Sequence, residues 1–138
     1  MRSYSLSAHR DDANGSTALV REARLVLDTS LAGRLDAFNP VELLLASLAA
    51  CMIKGVERSA PMLKFEFTGV SVTLTAERQD MQPRVTVINY ELRIDTDESD
   101  RRLELLHTNV RKYGTISNTL AQSVALIGTI VRTGEPAA

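Results

Sequence analysis

Asn39-Pro40-Val41-Glu42-Leu43-Leu44-Leu45-Ala46-Ser47-Leu48-Ala49-Ala50-Cys51 is the stretch that decides how this chain is read. Asn39 is a strong N-cap, Pro40 suits the first helical position, and Glu42 stands where a capping box needs its acid. The helix is expected to run to about Arg58 and to stop before Pro61. Between Leu43 and Ile53 only Ser47 is polar. A helix apolar all round is predicted to be a buried central helix, wrapped by sheet or by another subunit. Cys51, the single cysteine of the chain, lies in its middle. Two readings of that thiol stay open: inert packing, because free cysteine is among the most buried residue types, or a sheltered nucleophile.

Strands are expected on both sides of this helix. Tyr4, Leu6 and Ala8 alternate with Ser3, Ser5 and Ser7 as in a half-buried strand. Asn14-Gly15 is a hairpin signal, and a second strand is predicted from Ala18 to Leu27. Beyond the helix, Val70, Val72, Leu74 and Ala76 alternate with polar residues. After a turn through Gln79–Pro83, Ile88, Tyr90, Leu92 and Ile94 do the same, which predicts an antiparallel pair with one face on a core. Ser99 caps a further helix with Leu103, Leu106, Val110 and Tyr113 as its apolar stripe and Gly114 as its stop. His107 lies at the boundary of that stripe. Ser117 is placed as the cap of a short helical turn, and Val124–Val131 as a last strand. With no internal repeat or linker, residues 1–138 read as one α+β domain.

Composition narrows the function classes. The formal net charge is -1 with basic residues scattered along the chain, which excludes the basic footprint of a nucleic-acid binder. One cysteine and two distant histidines make neither an internal disulfide nor a zinc site. The apolar run around Cys51 is soon interrupted by Lys54, Glu57 and Arg58, too early for a membrane span. A soluble cytoplasmic protein without metal or organic cofactor is expected.

The element order resembles that of the OsmC/Ohr superfamily of thiol proteins, and two motifs carry the likeness. The segment from Asn39 to Cys51 is similar to the family's Asn-Pro-x-Glu-Leu helix start and mid-helix reactive cysteine. Thr115-Ile116-Ser117-Asn118-Thr119-Leu120 is similar to the segment in which Cys-Pro-(Ile/Val)-Ser opens a short helix. The resemblance implies an OsmC-like fold of curved antiparallel sheets around the central helix, built as an intertwined homodimer. It also implies a site at the subunit interface, where a thiolate attacks an organic hydroperoxide and becomes a sulfenic acid. In the family a second cysteine then closes a disulfide, an external thiol reductant opens it, and an arginine and a glutamate activate the thiolate.

This chain departs from that pattern at three places. Gly114 stands where the resolving cysteine falls, so the internal disulfide step is impossible. The activating glutamate falls, in the usual spacing, on Val41, ten positions before Cys51. Glu42, nine positions before it, lies on the opposite side of the helix at roughly 100° per residue, which favours capping over catalysis. Arg34 is the nearest candidate for the activating cation, with Arg24 and Arg21 behind it. The candidate site is therefore Cys51, Arg34 and Glu42. Three functions follow: a one-cysteine thiol peroxidase, a non-catalytic dimer binding a hydrophobic small molecule at its interface, or a structural dimer with an inert core cysteine.

Overall fold

The computed structural model describes residues 1–136, which fall into two compact units, Met1–Leu44 and the chain from Leu45 onward. The first unit is an antiparallel meander of β1 (Ser7–Asp12), β2 (Gly15–Val20) and β3 (Ala23–Leu27). β1 begins at Ser7, and Tyr4 and Leu6, expected to lie within it, are exposed ahead of it. Ala13 and Asn14 form the first turn, with the Asn14 amide donating to Asp12 Oδ1 at 2.7 Å, and Gly15 opens β2.

The single strand expected over Ala18–Leu27 is in fact two. Arg21 adopts a left-handed φ of 53°, and Val20 pairs with Ala23 across the turn. No glycine or asparagine announces this hairpin, so the sequence pattern ran straight through it. After β3, the Asp28 carboxylate organises the connection by accepting from the Ser30 amide, the Ser30 hydroxyl and the Arg34 amide.

Helix α1 spans Pro40–Leu63. Its capping box is formed reciprocally: the Glu42 amide donates to Asn39 Oδ1 and the Asn39 amide to Glu42 Oε1, both at 2.9 Å. The helix does not stop before Pro61 but carries it in its last turn. Lys64 then turns left-handed (φ 51°), with Phe65 N donating to Ala60 O and Lys64 N to Pro61 O, a Schellman ending. Arg102 adds its guanidinium to the Leu63 and Lys64 carbonyls, a cation at the negative end of the helix dipole.

The helix is not buried all round within one chain. Leu48, Met52, Gly55, Val56, Ser59 and Ala60 are buried, whereas Ser47, Ala50 and Ile53 are exposed. The elements of a single chain cover only one stripe of it.

That stripe belongs to the core of the second unit. β4 (Gly69–Gln79) pairs antiparallel with β5 (Arg84–Asp95), as the alternation predicts, with Val70 opposite Ile94 and Leu74 opposite Tyr90. β6 (Ala125–Arg132) lies on the other side of β5 and runs parallel to it, against the expectation of wholly antiparallel sheets. The two intervening helices make the crossover that a parallel pair requires. Ile88, Tyr90, Leu92 and Ile94 of β5 face Leu48, Met52 and Val56 of α1 and the buried stripe of α2 (Asp100–Tyr113), namely Leu103, Leu106 and Val110. Ser99 caps α2 by accepting from the Arg102 amide at 3.3 Å. Tyr113, expected on the stripe, is 53% exposed.

α3 (Thr115–Leu120) follows directly. Its N-cap is Gly114, and Ser117 lies within the helix instead of capping it. Gly114 has φ -81° and ψ 112°, an extended geometry open to any residue, so it does not act as the left-handed stop read from the sequence.

Candidate active site around Cys51

What the Gly114 position requires is room. A Cβ built there would lie 2.9 Å from the Val110 carbonyl oxygen, 3.0 Å from Ser117 Oγ and 3.3 Å from Cys51 Sγ. The α2–α3 junction therefore comes up against the sulfur of α1, and the absent side chain is what lets it do so. Cys51 is half-buried, so the thiol is neither sealed in the core nor free on the surface. Ser117 is 1% exposed, and its hydroxyl has no hydrogen-bond partner. A thiol, a buried hydroxyl and a backbone carbonyl thus border one point.

The two other residues of the candidate site are held by partners of their own. Glu42 spends its carboxylate on the helix cap. Arg34 makes a two-pronged ion pair with Asp36, Nε to Oδ1 at 2.8 Å and Nη2 to Oδ2 at 2.9 Å, and also reaches the Asn14 carbonyl. The hydrogen bond from Arg34 holds the Asp36 carboxyl below its ordinary range, and the same bond raises the Arg34 guanidinium. Asp28 is also lowered, first by the Arg34 amide and then by the Ser30 hydroxyl. Arg34 is therefore a neutralised cation at the foot of the meander. Val41, where the family resemblance placed an activating glutamate, carries no charge.

A second polar cluster lies between β5 and α2. The Tyr90 hydroxyl is 2.5 Å from His107 Nε2 and accepts from Arg111 Nη1 at 3.1 Å. The Tyr90 hydroxyl thus links the imidazole and the guanidinium through one oxygen. Burial keeps His107 below its ordinary value, with Glu104 opposing and Arg111 reinforcing the shift. Burial likewise pushes Tyr90 up, against the pull of Arg111. Sequence reading left His107 as a boundary residue and did not find this cluster. Its signal was the i, i+4 spacing of Leu103, His107 and Arg111 beside the apolar stripe. The Tyr90 hydroxyl is the hub of this cluster, bonded to both His107 and Arg111. Among the described residues, no group of three or more His, Cys, Asp or Glu side chains is arranged to hold a metal ion. No helix described is long and apolar enough to cross a membrane.

The profile of the OsmC-like protein family matches residues 33–127, which includes α1, Cys51 and the α2–α3 junction. The chain belongs to the OsmC-like family. No curated protein matches it significantly. Its fold is shared with an OsmC-like protein from Mycoplasma pneumoniae, at a TM-score of 0.85 and 20% identity, covering 95% of this chain and 97% of that one. An organic hydroperoxide resistance protein OsmC from Legionella pneumophila superposes with a TM-score of 0.74 at 19% identity, over 94% and 98% of the two chains. The organic hydroperoxide resistance protein OhrB of Bacillus subtilis gives 0.66 at 16% identity, over 94% and 98%. These likenesses extend the OsmC-like architecture over nearly the whole chain, including the meander that precedes the matched region.

Proposed function

We propose that this OsmC-like protein is a cytoplasmic homodimer that reduces organic hydroperoxides with one cysteine and an external low-molecular-weight thiol. The observation that carries the reading is the half-buried Cys51 sulfur at the α2–α3 junction, in a family whose fold also serves proteins named for organic hydroperoxide resistance. In the reaction, the Cys51 sulfur attacks one peroxide oxygen, and the O–O bond breaks. The other oxygen leaves as the alcohol after taking a proton, and the sulfur, oxidised by two electrons, becomes a sulfenic acid. Gly114 offers no second thiol, so a small thiol attacks the sulfenic sulfur, releases water and leaves a mixed disulfide. A second small thiol frees Cys51 and departs as the symmetrical disulfide. One hydroperoxide and two thiols thus become one alcohol, one water and one disulfide.

Dimerisation is supported by apolar residues left in the open by a single chain. Leu31 and Leu35 are fully exposed, and Phe38 is about half exposed, as are Leu25 and Val26 of β3. Ile53 adds to these on the uncovered side of α1. Large apolar side chains left exposed in this number are what an interaction face covers.

The test is hydroperoxide consumption with added thiol by wild-type protein and by Cys51→Ser. Loss of turnover in the variant is expected. Equal turnover ends the proposal and leaves ligand binding without catalysis as the reading to pursue, by native mass spectrometry of freshly purified protein.

A further inference from the structure

We propose that Ser117 is the hydrogen-bond donor for the oxygen that oxidation adds to Cys51, so that the α2–α3 junction is a holding site for the sulfenic acid. The inference rests on the thiol chemistry proposed above and assigns a residue to it.

The starting point is a hydroxyl with nothing to bond. Ser117 Oγ is buried, the residue is 1% exposed, and no partner reaches it. Buried polar groups without partners are rare in folded proteins because each has lost its water for nothing. Helix capping does not account for Ser117, since Gly114 is the N-cap of α3 and makes no side-chain cap bond. Ser117 Oγ and Cys51 Sγ border the same point above Gly114, at 3.0 Å and 3.3 Å. Any side chain at 114 would push between them.

In the reduced protein the hydroxyl thus has no partner, close to the Cys51 sulfur. Oxidation by a hydroperoxide, with the alcohol as the other product, places an oxygen on that sulfur. A sulfenic oxygen, above all as the sulfenate anion, is a strong acceptor, and the Ser117 O–H is the donor beside it. The hydrogen bond draws electron density from the oxygen and the sulfur. It thereby slows attack on a second hydroperoxide, which would convert the sulfenic acid to the sulfinic acid and release another alcohol. A one-cysteine protein needs this delay more than a two-cysteine relative does, because its resolving thiol arrives by diffusion.

The proposal separates the reduced and oxidised states, and so does the test. Pre-reduced wild type, Ser117→Ala and Ser117→Thr are treated with a small excess of tert-butyl hydroperoxide. A sulfenic-acid trap is added at successive times, and intact mass reads the trapped adduct against the sulfinic product. Melting temperature is measured on the reduced proteins. Reduced Ser117→Ala should melt at or above wild type, since it loses only an unpaired hydroxyl. Its sulfenic acid should pass to the sulfinic acid about tenfold faster, the scale of one hydrogen bond to a charged group. Ser117→Thr, which keeps a hydroxyl, should recover most of the lifetime. Equal lifetimes in wild type and Ser117→Ala overturn the assignment and leave the peroxidase reading intact. A reduced Ser117→Ala that melts well below wild type, or fails to fold, also overturns it, by giving the hydroxyl a structural role. A wild-type Cys51 that the hydroperoxide never oxidises overturns both.

Discussion

Gly128→Ala should be among the most damaging single-methyl additions available in this protein. Gly128 of β6 stands beside Tyr90 of β5 in the parallel register. A Cβ at 128 would fall 2.0 Å from Tyr90 Cζ, 2.1 Å from Cε1 and 2.3 Å from Cε2, inside the space of the ring. Tyr90 is 4% exposed and has no open side to yield toward. It must leave its rotamer, and in doing so it surrenders the bond to His107 and the one from Arg111. Overpacking costs about 1–3 kcal/mol, and two hydrogen bonds add about 1 kcal/mol each, so the total is roughly 3–5 kcal/mol. For a chain of this size that is a fall in melting temperature of roughly 10–20 °C.

Thermal and urea unfolding measure it, and a double-mutant cycle assigns it. Tyr90→Leu removes the ring, so Gly128→Ala on that background should cost under about 1 kcal/mol, a coupling of about 2 kcal/mol or more. A Gly128→Ala protein within about 0.5 kcal/mol of wild type would refute the register that sets the ring over the glycine, and with it the parallel pairing of β6.

Two further outcomes follow from the same unit. His107 is held below its ordinary value by burial, so the unfolded chain binds the proton more readily than the folded one. Stability should therefore be full above the unfolded histidine value of about 6.5 and fall as pH drops from there toward 5. His107→Gln should flatten the melting temperature across that interval, whereas an unchanged slope would show that another group carries it. Gly114→Cys needs the Val110 carbonyl, 2.9 Å from its Cβ, to give way slightly. With that Cβ 3.3 Å from Cys51 Sγ, it should then close a disulfide under mild oxidation, read as the loss of both titratable thiols. Persistence of two free thiols in a folded variant would mean that the junction stands further from α1 than described.

Much of this architecture was legible because local chemistry and global fold agree. Asn39-Pro40-Val41-Glu42 specifies a helix start by capping alone, and the structure forms that box bond for bond. The alternation of Ile88, Tyr90, Leu92 and Ile94 fixed both the strand and its inward face. What the sequence hid falls into two kinds. Left-handed turns at Arg21 and Lys64 use residues that give no local warning, so β2 and β3 read as one strand and α1 read as too short. Long-range approaches were the other kind. Gly114 looks the same in sequence whether it ends a helix or admits a sulfur, and only the docking of α1 on the α2–α3 junction distinguishes the two. Ser117 was misread for the same reason. Arg34 lies where the sequence suggested a cation, but its partner is Asp36, two residues away, a pairing that charge counting alone does not exclude.

The parallel docking of β6 also has a consequence in time. β5 is the middle strand of its sheet, yet only its β4 side is satisfied by chain already made when β5 emerges during synthesis. Its other edge waits through α2 and α3, until Arg132 has left the ribosome. Over that interval a nascent chain carries an apolar hairpin with an unpaired rim, the geometry that recruits neighbouring strands. The polar outer face of that hairpin, with Ser71, Thr73, Thr75, Asn89 and Glu91, leaves only one side of the incomplete sheet adhesive. Yield in the cell should then depend on how quickly translation covers the last third of the message, before any question of peroxide arises.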